Sequence, residues 1–118
     1  MKKVSHRILV SGGDGRLAKE IQASRVEKHL YLPSKYETNI TSPESIEKAI
    51  SFFNPTVFLH AAALTRPMSN HVIYPHISIE TNIIGTSNVA LACLKHDIKL
   101  VYISTDYVYP GKVGNYQE

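Results

Sequence analysis

With 118 residues, of which 43% are apolar and 19% charged, the chain has the length and composition of one globular domain. Its net charge of +3 comes from scattered basic residues, and no cluster beyond Lys2-Lys3 indicates a nucleic-acid surface. No uncharged apolar run approaches the ~20 residues that span a bilayer, so we expect no membrane partner. A single cysteine, Cys93, excludes an internal disulfide and agrees with a reducing, cytoplasmic compartment.

The first predicted unit is a strand, a glycine-rich turn and a helix. Ser11-Gly12-Gly13-Asp14-Gly15-Arg16-Leu17-Ala18 fits G-x-x-G-x-x-A counted from Gly12, or G-x-G-x-x-A counted from Gly13. Gly12 and Gly13 allow backbone angles that a Cβ would forbid, and Gly15 lets the chain come close to a ligand. The amides and positive dipole at the start of the helix favour a pyrophosphate. On its own, the motif also fits a purely structural turn.

Four segments rich in apolar and β-branched residues are predicted strands, and they lie at residues 8–11, 29–32, 56–60 and 98–103. Amphipathic helices separate them, which predicts a parallel sheet covered on both faces, the doubly wound α/β class. The link after residue 32 is too short for a helical crossover. Residues 38–40 are therefore at most a vestigial edge strand, and the expected strand order is 2-1-3-4.

Two further helices are predicted from start signals and apolar periodicity. Ser42-Pro43-Glu44 supplies an N-cap, a proline at the first position and a first-turn carboxylate. That helix packs on the sheet through Ile46, Ala49, Ile50 and Phe53 and ends at Asn54-Pro55. A loop at residues 64–74 precedes the longest helix, about residues 75–96. Gly85 lies inside it at a cost of about 1 kcal/mol against alanine, which indicates close packing or a ligand.

Segments with polar or small residues follow each strand, at the edge where open α/β sheets bind ligands. Strand two normally precedes an acid that binds the ribose 2′-OH of NAD, but here Ser34-Lys35 follows, with no carboxylate before Glu37. A hydroxyl and an ammonium attract a 2′-phosphate, so NADP(H) is favoured and NAD(H) remains possible. Lys35 and Arg16 also fit solvated surface side chains.

The nucleotide loop resembles that of the extended short-chain dehydrogenase/reductases. Three later segments are most similar to the dTDP-4-dehydrorhamnose reductase family, namely Asn39-Ile40-Thr41-Ser42-Pro43-Glu44, His60-Ala61-Ala62-Ala63-Leu64-Thr65 and Ser104-Thr105-Asp106-Tyr107-Val108-Tyr109. The resemblance covers nearly all of residues 6–111. It departs at Asn39, where the family usually has an aspartate against the adenine, and at Leu64, where an aromatic residue is frequent.

The resemblance implies an NAD(P)-binding Rossmann fold and hydride transfer from NADPH to the C4 ketone of a nucleotide sugar. Thr105 would be the catalytic hydroxyl on the keto oxygen, with Asp106 and Tyr107 as further substrate contacts. The cofactor contacts expected are Gly12, Gly13, Asp14, Gly15, Arg16, Leu17, Ser34, Lys35, Asn39, Ile40, Ala61, Ala62, Ala63, Thr65, Asn82, Ile103 and Ser104. From the residues alone, a hydroxyl at a strand end suits carbonyl polarisation, but Thr105 also fits a turn cap and Asn82 a polar helix face.

The family's proton donor is a tyrosine followed four residues later by a lysine, on a helix beyond the Ser/Thr strand. Tyr31 and Lys35 have this spacing but straddle Pro33, and Tyr116 has no residue at position 120. We therefore expect residues 1–118 to be the N-terminal part of the Rossmann domain, without the substrate domain and inactive alone.

Two alternatives remain open at this stage. One is a non-catalytic dinucleotide-binding regulatory module, which the family permits in a regulatory subunit of methionine adenosyltransferase. The other is a fragment of an NAD-dependent nucleotide-sugar epimerase or dehydratase. The histidines offer no competing chemistry: His71 and His76 lack the partners of a metal site, and His60 is expected to be a satisfied buried imidazole. The oligomeric state is not predicted.

Overall fold

The computed structural model describes residues 5–24, 29–105 and 109–117. Its elements in chain order are β1 Ile8–Ser11, α1 Arg16–Ser24, β2 Leu30–Tyr31, α2 Pro43–Phe53, β3 Val57–His60, α3 Asn70–Ile73, α4 Pro75–Ser78, a π-helical segment Ile79–Ile84, α5 Gly85–Lys95 and β4 Lys99–Tyr102. The three consecutive helical pieces from Pro75 to Lys95 are continuous and are called the long helix below.

The four strands form one parallel sheet in the order β2-β1-β3-β4, as the sequence predicts. Leu9 pairs with Tyr31 on one side and with Phe58 on the other, and Phe58 pairs in turn with Leu100. The strand order reverses between β1 and β3, so their carboxyl ends border the crevice where such sheets bind ligands. Residues 38–40 form a turn and add no strand to the sheet.

One face of the sheet carries the hydrophobic core, with α2 and α5 packed over it. The buried side chains that share this core are Leu9, Ile40, Ile46, Ala49, Ile50, Phe58, Val89, Ala92, Cys93 and Ile98. Alternation along the strands puts Leu59 and Val101 on the opposite face, where Leu59 is half-buried and Val101 is 38% exposed. Within the described residues, the expectation of full cover on both faces is therefore wrong for β3 and β4. An apolar pattern predicts which side chains favour burial but not whether another element covers them.

Helix α2 begins and ends where its capping residues predict. The Ser42 hydroxyl accepts the Ser45 N–H at 3.3 Å, and Pro43 occupies the first turn. At the other end Asn54 adopts a left-handed conformation, φ 49°, and its N–H donates to the Ile50 carbonyl at 2.7 Å. The predicted apolar stripe is buried at Ile46, Ala49 and Ile50.

The long helix has the predicted extent but not the predicted regularity. Its middle is π-helical, with the Gly85 N–H donating to the Glu80 carbonyl five residues earlier. A Cβ on Gly85 would lie 2.7 Å from Cδ1 of Ile40, so close packing explains this glycine. The short helix α3 also falls within the predicted loop at residues 64–74.

By length and composition alone, the long helix would also qualify as a membrane span, contrary to the expectation from the sequence. Core helices of globular proteins pass the same test. Here the helix packs against the sheet and α2 through Val89, Ala92 and Cys93, while Leu91 and Leu94 are exposed.

Candidate cofactor and active site

The glycine-rich turn after β1 is held between two neighbouring strand ends. Gly12 has a left-handed φ of 74°, and a Cβ there would lie 3.0 Å from Cα of Ala62. Gly13 does not have a left-handed φ, so the predicted need for forbidden angles is wrong at this residue. Gly13 is required for space instead, since a Cβ would overlap the Leu32 carbonyl, and its N–H donates to Pro33 O at 2.9 Å.

Beyond these two glycines the turn opens toward the ligand edge. The Gly15 N–H donates to the Gly12 carbonyl at 2.9 Å, and a Cβ on Gly15 would meet only that oxygen, at 3.1 Å. Helix α1 begins at Arg16, whose side chain is exposed, and Ala18 is buried. Free backbone N–H groups at the start of a nine-residue helix are a favourable environment for a phosphate.

A buried polar network joins the ends of β1 and β3. The Ser11 hydroxyl oxygen accepts the N–H groups of Ala61 and Ala62, each at 3.1 Å, and lies 2.8 Å from Nδ1 of His60. The other ring nitrogen of His60 lies 2.9 Å from the Thr86 hydroxyl on the long helix. Burial lowers the pKa of His60 below its ordinary value of 6.5. The interpretation of His60 as a satisfied buried imidazole is confirmed.

The chain turns back after β2, so that the carboxylate of Glu37 contacts Ser34, three residues earlier in the sequence. Ser34 N–H donates to Oε2 of Glu37 at 2.7 Å, and Glu37 N–H donates to the Ser34 hydroxyl at 3.3 Å. This reciprocal pair is a capping box, in which the glutamate folds back on the first residue of the turn. The Lys35 ammonium lies 5.1 Å from the centre of the Tyr36 ring. The Glu37 carboxylate is therefore held at the strand end where the ribose is expected.

Asn82, in the π-helical segment, holds the loop after β3. Its Oδ1 accepts the Leu64 N–H at 2.8 Å, and its Nδ2 donates to the Leu64 carbonyl at 2.9 Å. The amide thus satisfies both backbone groups of one loop residue, as a neighbouring strand would.

A cavity of about 450 Å³ lies between the carboxyl ends of β3 and β4, this loop and the long helix. Eight of the predicted site residues line it, and they are Ala61, Ala62, Ala63, Thr65, Asn82, Ile103, Ser104 and Thr105. The site prediction omitted the other six lining residues, which are His60, Leu64, Met68, His71, Thr86 and Tyr102. Thr86 follows Asn82 by four positions, so helical spacing alone was a signal for it. His71 and Met68 come from the turn around α3, for which the sequence offered no such signal.

A second, more open cleft of about 820 Å³ lies between the start of α1 and the loop after β3. Its lining consists of Arg16, Thr65, Arg66, Pro67 and Met68. Arg16 begins α1 and Arg66 lies in the loop after β3, so only the tertiary structure brings their two guanidinium groups to one cleft. This arrangement is chemically suited to an anionic ligand such as a pyrophosphate.

The remaining predicted cofactor residues line neither cavity. Asn39 uses its Oδ1 to accept both the N–H and the hydroxyl of Thr41, at 3.0 and 2.8 Å, and Ile40 is buried in the core. Asp14 and Leu17 are exposed on the turn and on α1. Asp106 and Tyr107 lie outside the described residues. Within the described ranges, no group of three His, Cys, Asp or Glu side chains is arranged to hold a metal ion.

The family model described as RmlD substrate binding domain matches residues 6–118. The chain belongs to this family. Among solved structures, it is similar to the dTDP-4-dehydrorhamnose reductase of Bacillus anthracis in complex with NADP, with a TM-score of 0.86 and 29% identity. The match covers 96% of this chain and 41% of that one. The Rossmann-type fold is therefore confirmed.

Curated relatives include both dTDP-4-dehydrorhamnose reductases and a subunit of methionine adenosyltransferase 2. The dTDP-4-dehydrorhamnose reductase of Aggregatibacter actinomycetemcomitans is 29% identical over 116 residues, covering 95% of this chain and 39% of that protein. Methionine adenosyltransferase 2 subunit beta of Bos taurus is 26% identical over 125 residues, and the match covers 97% of this chain and 36% of that protein. The present member of the RmlD substrate binding domain family thus spans less than half the length of the relatives it matches.

Proposed function

We propose that this chain is the dinucleotide-binding portion of a nucleotide-sugar 4-keto reductase that uses NADP(H). The observation that carries the proposal is the meeting of two features at the switch point of the sheet. The left-handed turn at Gly12 packs against Ala62, and the adjoining cavity has Thr105 in its wall. The relatives named dTDP-4-dehydrorhamnose reductase support the same reading. Since nucleotide sugars and NADP(H) are cytoplasmic metabolites, we infer a cytoplasmic location.

The residues present fit a dinucleotide. Gly15 leaves the start of α1 uncovered, so its backbone N–H groups are accessible to a pyrophosphate. Arg16 and Arg66, on the walls of the open cleft, would neutralise phosphate charge. Ala62 and Ala63 present small side chains beside the 450 Å³ cavity, which leaves room for a ring against the loop. When bound, NADPH would supply the hydride.

The protein's own contribution to the reaction would be binding, orientation and carbonyl polarisation. Thr105 follows β4, at the carboxyl edge of the sheet, where its hydroxyl would donate a hydrogen bond to a sugar keto oxygen. Tyr102 and Met68 would bound the sugar on the apolar side of the cavity. The only Tyr-x-x-x-Lys spacing in the 118-residue sequence is that of Tyr31 and Lys35, which straddle Pro33 after β2 and so do not match a proton donor on a helix. We therefore expect the chain to bind cofactor and not to reduce ketones by itself.

Cofactor titration tests this proposal directly. Intrinsic or cofactor fluorescence should show saturable NADPH binding, with NADH bound about tenfold more weakly, a difference of ~1.4 kcal/mol. Arg16→Gln should weaken NADPH binding several-fold, whereas Lys19→Gln, an exposed cation further along α1, should leave it unchanged. Absence of saturable binding would refute the proposal. A preference for NADH would favour the epimerase or dehydratase reading, and NADPH-dependent ketone reduction by the chain would contradict its expected inactivity.

A regulatory, non-catalytic module is the second candidate, favoured by the 26% identity to methionine adenosyltransferase 2 subunit beta. Both readings require dinucleotide binding, so the titration does not separate them. The coding sequence beyond Glu118 does: a downstream Tyr-x-x-x-Lys favours the reductase, and a stop codon favours the binding module.

A further inference from the structure

We propose that His60 is a positioning residue for the cofactor crevice. As a neutral imidazole with its proton on Nε2, it holds the Ala61-Ala62 backbone against the glycine-rich turn through Ser11, and its protonation releases that hold. The inference rests on the proposed function, because it concerns the walls of the same crevice. It assigns a role to a buried titratable side chain that the hydride-transfer chemistry does not use.

Hydrogen-bond counting at Ser11 determines the tautomer. A hydroxyl has two lone pairs and one proton. Both lone pairs of the Ser11 oxygen are taken by the N–H groups of Ala61 and Ala62, each at 3.1 Å. The hydroxyl proton is left to donate to Nδ1 of His60, 2.8 Å away, so Nδ1 must be unprotonated. The ring proton then lies on Nε2 and donates to the Thr86 hydroxyl at 2.9 Å.

The network lies where a small displacement would matter for the ligand. Ser11 is the last residue of β1 and directly precedes Gly12, and His60 is the last residue of β3 and directly precedes Ala61. The Gly12 backbone is so close to Ala62 that a Cβ would lie 3.0 Å from its Cα. Loosening the two N–H bonds to Ser11 therefore changes the separation of the two loops that border the crevice. Thr86 ties the same histidine to the long helix.

Protonation of His60 conflicts with this arrangement. A second ring proton on Nδ1 would point at a hydroxyl oxygen whose lone pairs are both in use, so one backbone N–H must lose its acceptor. The groups facing the ring are the uncharged hydroxyls of Ser11 from β1 and Thr86 from the long helix, and Tyr102 from β4, stacked at 5.6 Å. His71, from α3, lines the adjoining cavity. None of these carries a negative charge at neutral pH to stabilise an imidazolium.

Burial also favours the neutral imidazole, since it lowers the pKa of His60 below the ordinary 6.5. The stability that the neutral ring contributes is complete above pH 6.5 and is lost as the pH falls through the lowered pKa.

The first test is the tautomer in the free protein, read by long-range ¹H–¹⁵N NMR on the ¹⁵N-labelled chain at pH 7. The expected result is an unprotonated Nδ1 and a protonated Nε2 for His60, assigned with His60→Asn. On acidification, the amide signals of Ala61 and Ala62 should shift together with the ring. An imidazolium or a proton on Nδ1 at pH 7 would overturn the proposal.

The second test compares two replacements of His60 by NADP⁺ titration between pH 5 and pH 7.5. In His60→Asn the amide Oδ1 is bonded to Cγ, as Nδ1 is in histidine, so it retains an acceptor for Ser11 without a titratable group. His60→Phe keeps a ring against Tyr102 but removes both nitrogens. Because the cofactor's own 2′-phosphate titrates in this range, the result is read as the difference between proteins at each pH.

We expect cofactor affinity to be retained only in the variant that keeps an acceptor for the Ser11 hydroxyl. His60→Asn should bind within about threefold of the parent at pH 7 and should lose less affinity than the parent at pH 5, whereas His60→Phe should bind at least about tenfold more weakly at both. Equal affinities for all three proteins, or an Asn variant as weak as the Phe variant, would overturn the role. Ser11→Ala serves in place of His60→Phe if circular dichroism shows that variant to be unfolded. Failure of the parent to bind NADP⁺, with the expected NMR tautomer, would refute the proposed function and leave the hold on Ala61 and Ala62 supported.

Discussion

Asn82 binds both hydrogen-bonding groups of the Leu64 backbone, so the π-helical segment and the loop after β3 are joined by one side chain. Leu64 lies in the wall of the 450 Å³ cavity, next to Ala63 and Thr65. Two hydrogen bonds of 2.8 and 2.9 Å from one amide restrict the loop both in position and in orientation. The sequence predicts a role for Asn82 near the site, and the contact suggests that this role is to shape the wall.

Asn82→Ala should therefore weaken cofactor binding as well as stability. Loss of both bonds leaves two backbone groups in a partly buried place without their partner, which lowers the free energy of unfolding by about 2 kcal/mol. Asn88→Ala is the matched control, because Asn88 also donates to a backbone carbonyl, that of Ile40 at 3.0 Å, but lines neither cavity. Denaturant unfolding should show both variants destabilised, and NADPH titration should show only Asn82→Ala impaired. Equal cofactor affinity in the two would contradict the role.

Gly13 and Gly15 should respond differently to alanine. At Gly13 a Cβ would overlap the Leu32 carbonyl, which is backbone and cannot move without displacing the end of β2. Gly13→Ala should therefore lower the free energy of unfolding by more than about 2 kcal/mol. At Gly15 a Cβ meets only the Gly12 carbonyl at 3.1 Å, so Gly15→Ala should fold with a smaller loss. It should nevertheless bind NADPH at least about tenfold more weakly, since the methyl group covers the phosphate approach.

Thermal unfolding and NADPH titration separate these two effects. A Gly15→Ala protein with parental affinity would show that the cofactor does not approach this part of the turn.

Glu37 should limit the preference for NADP(H). Its carboxylate is held by the Ser34 N–H at the end of β2, where it would repel a 2′-phosphate. Glu37→Gln retains the capping box, because glutamine also fills that position, and removes only the charge. The dissociation constant of NADPH should fall about threefold, as expected for removing one exposed like charge, while that of NADH stays constant. Paired titrations at low ionic strength measure the ratio of the NADPH and NADH dissociation constants. If Glu37→Gln leaves this ratio unchanged, Glu37 does not lie near the ribose.

Gly85→Ala should destabilise the chain despite the higher helix propensity of alanine. The propensity gain is about 1 kcal/mol, but the new Cβ would lie 2.7 Å from Cδ1 and 2.9 Å from Cγ1 of the buried Ile40. Overpacking of this kind costs about 1–3 kcal/mol. Ile40→Val removes the closer contact, at Cδ1, and keeps the one at Cγ1, so Gly85→Ala should be less destabilising in that background. Denaturant unfolding of the four proteins gives the coupling energy, and strict additivity would contradict direct contact.

Cys93 should be inert toward thiol reagents in the folded chain. Burial raises the pKa of its thiol to about 11, so at pH 8 the reactive thiolate is only ~0.1% of the population. Because the chain has one cysteine, a chromogenic disulfide reagent should release no chromophore on reaction with the native protein and one equivalent of chromophore per chain in denaturant. Rapid labelling of the native protein at pH 8 would show that α5 opens locally.

The sequence alone predicted the order of the strands, from their alternation with helices, and the limits of α2, from local capping signals. Ser42, Pro43 and Asn54 each act within one helical turn, and the short link after β2 excludes a crossover. It also located the glycine turn, the Ala61–Ala63 segment and Thr105 at one edge, since parallel strands direct their carboxyl ends the same way.

The tertiary structure decided how these segments contact one another. Three contacts depend on how the chain folds back on itself. They are the approach of Gly13 to the Leu32 carbonyl, the hydrogen bond between Glu37 and Ser34, and the Ser11–His60–Thr86 network. The sequence also did not predict the π-helical segment, because its widened turn accompanies the packing of Gly85 on Ile40 and not a local preference. Periodicity reports which face of an element is apolar. Distances between atoms of separate elements are set only when those faces pack.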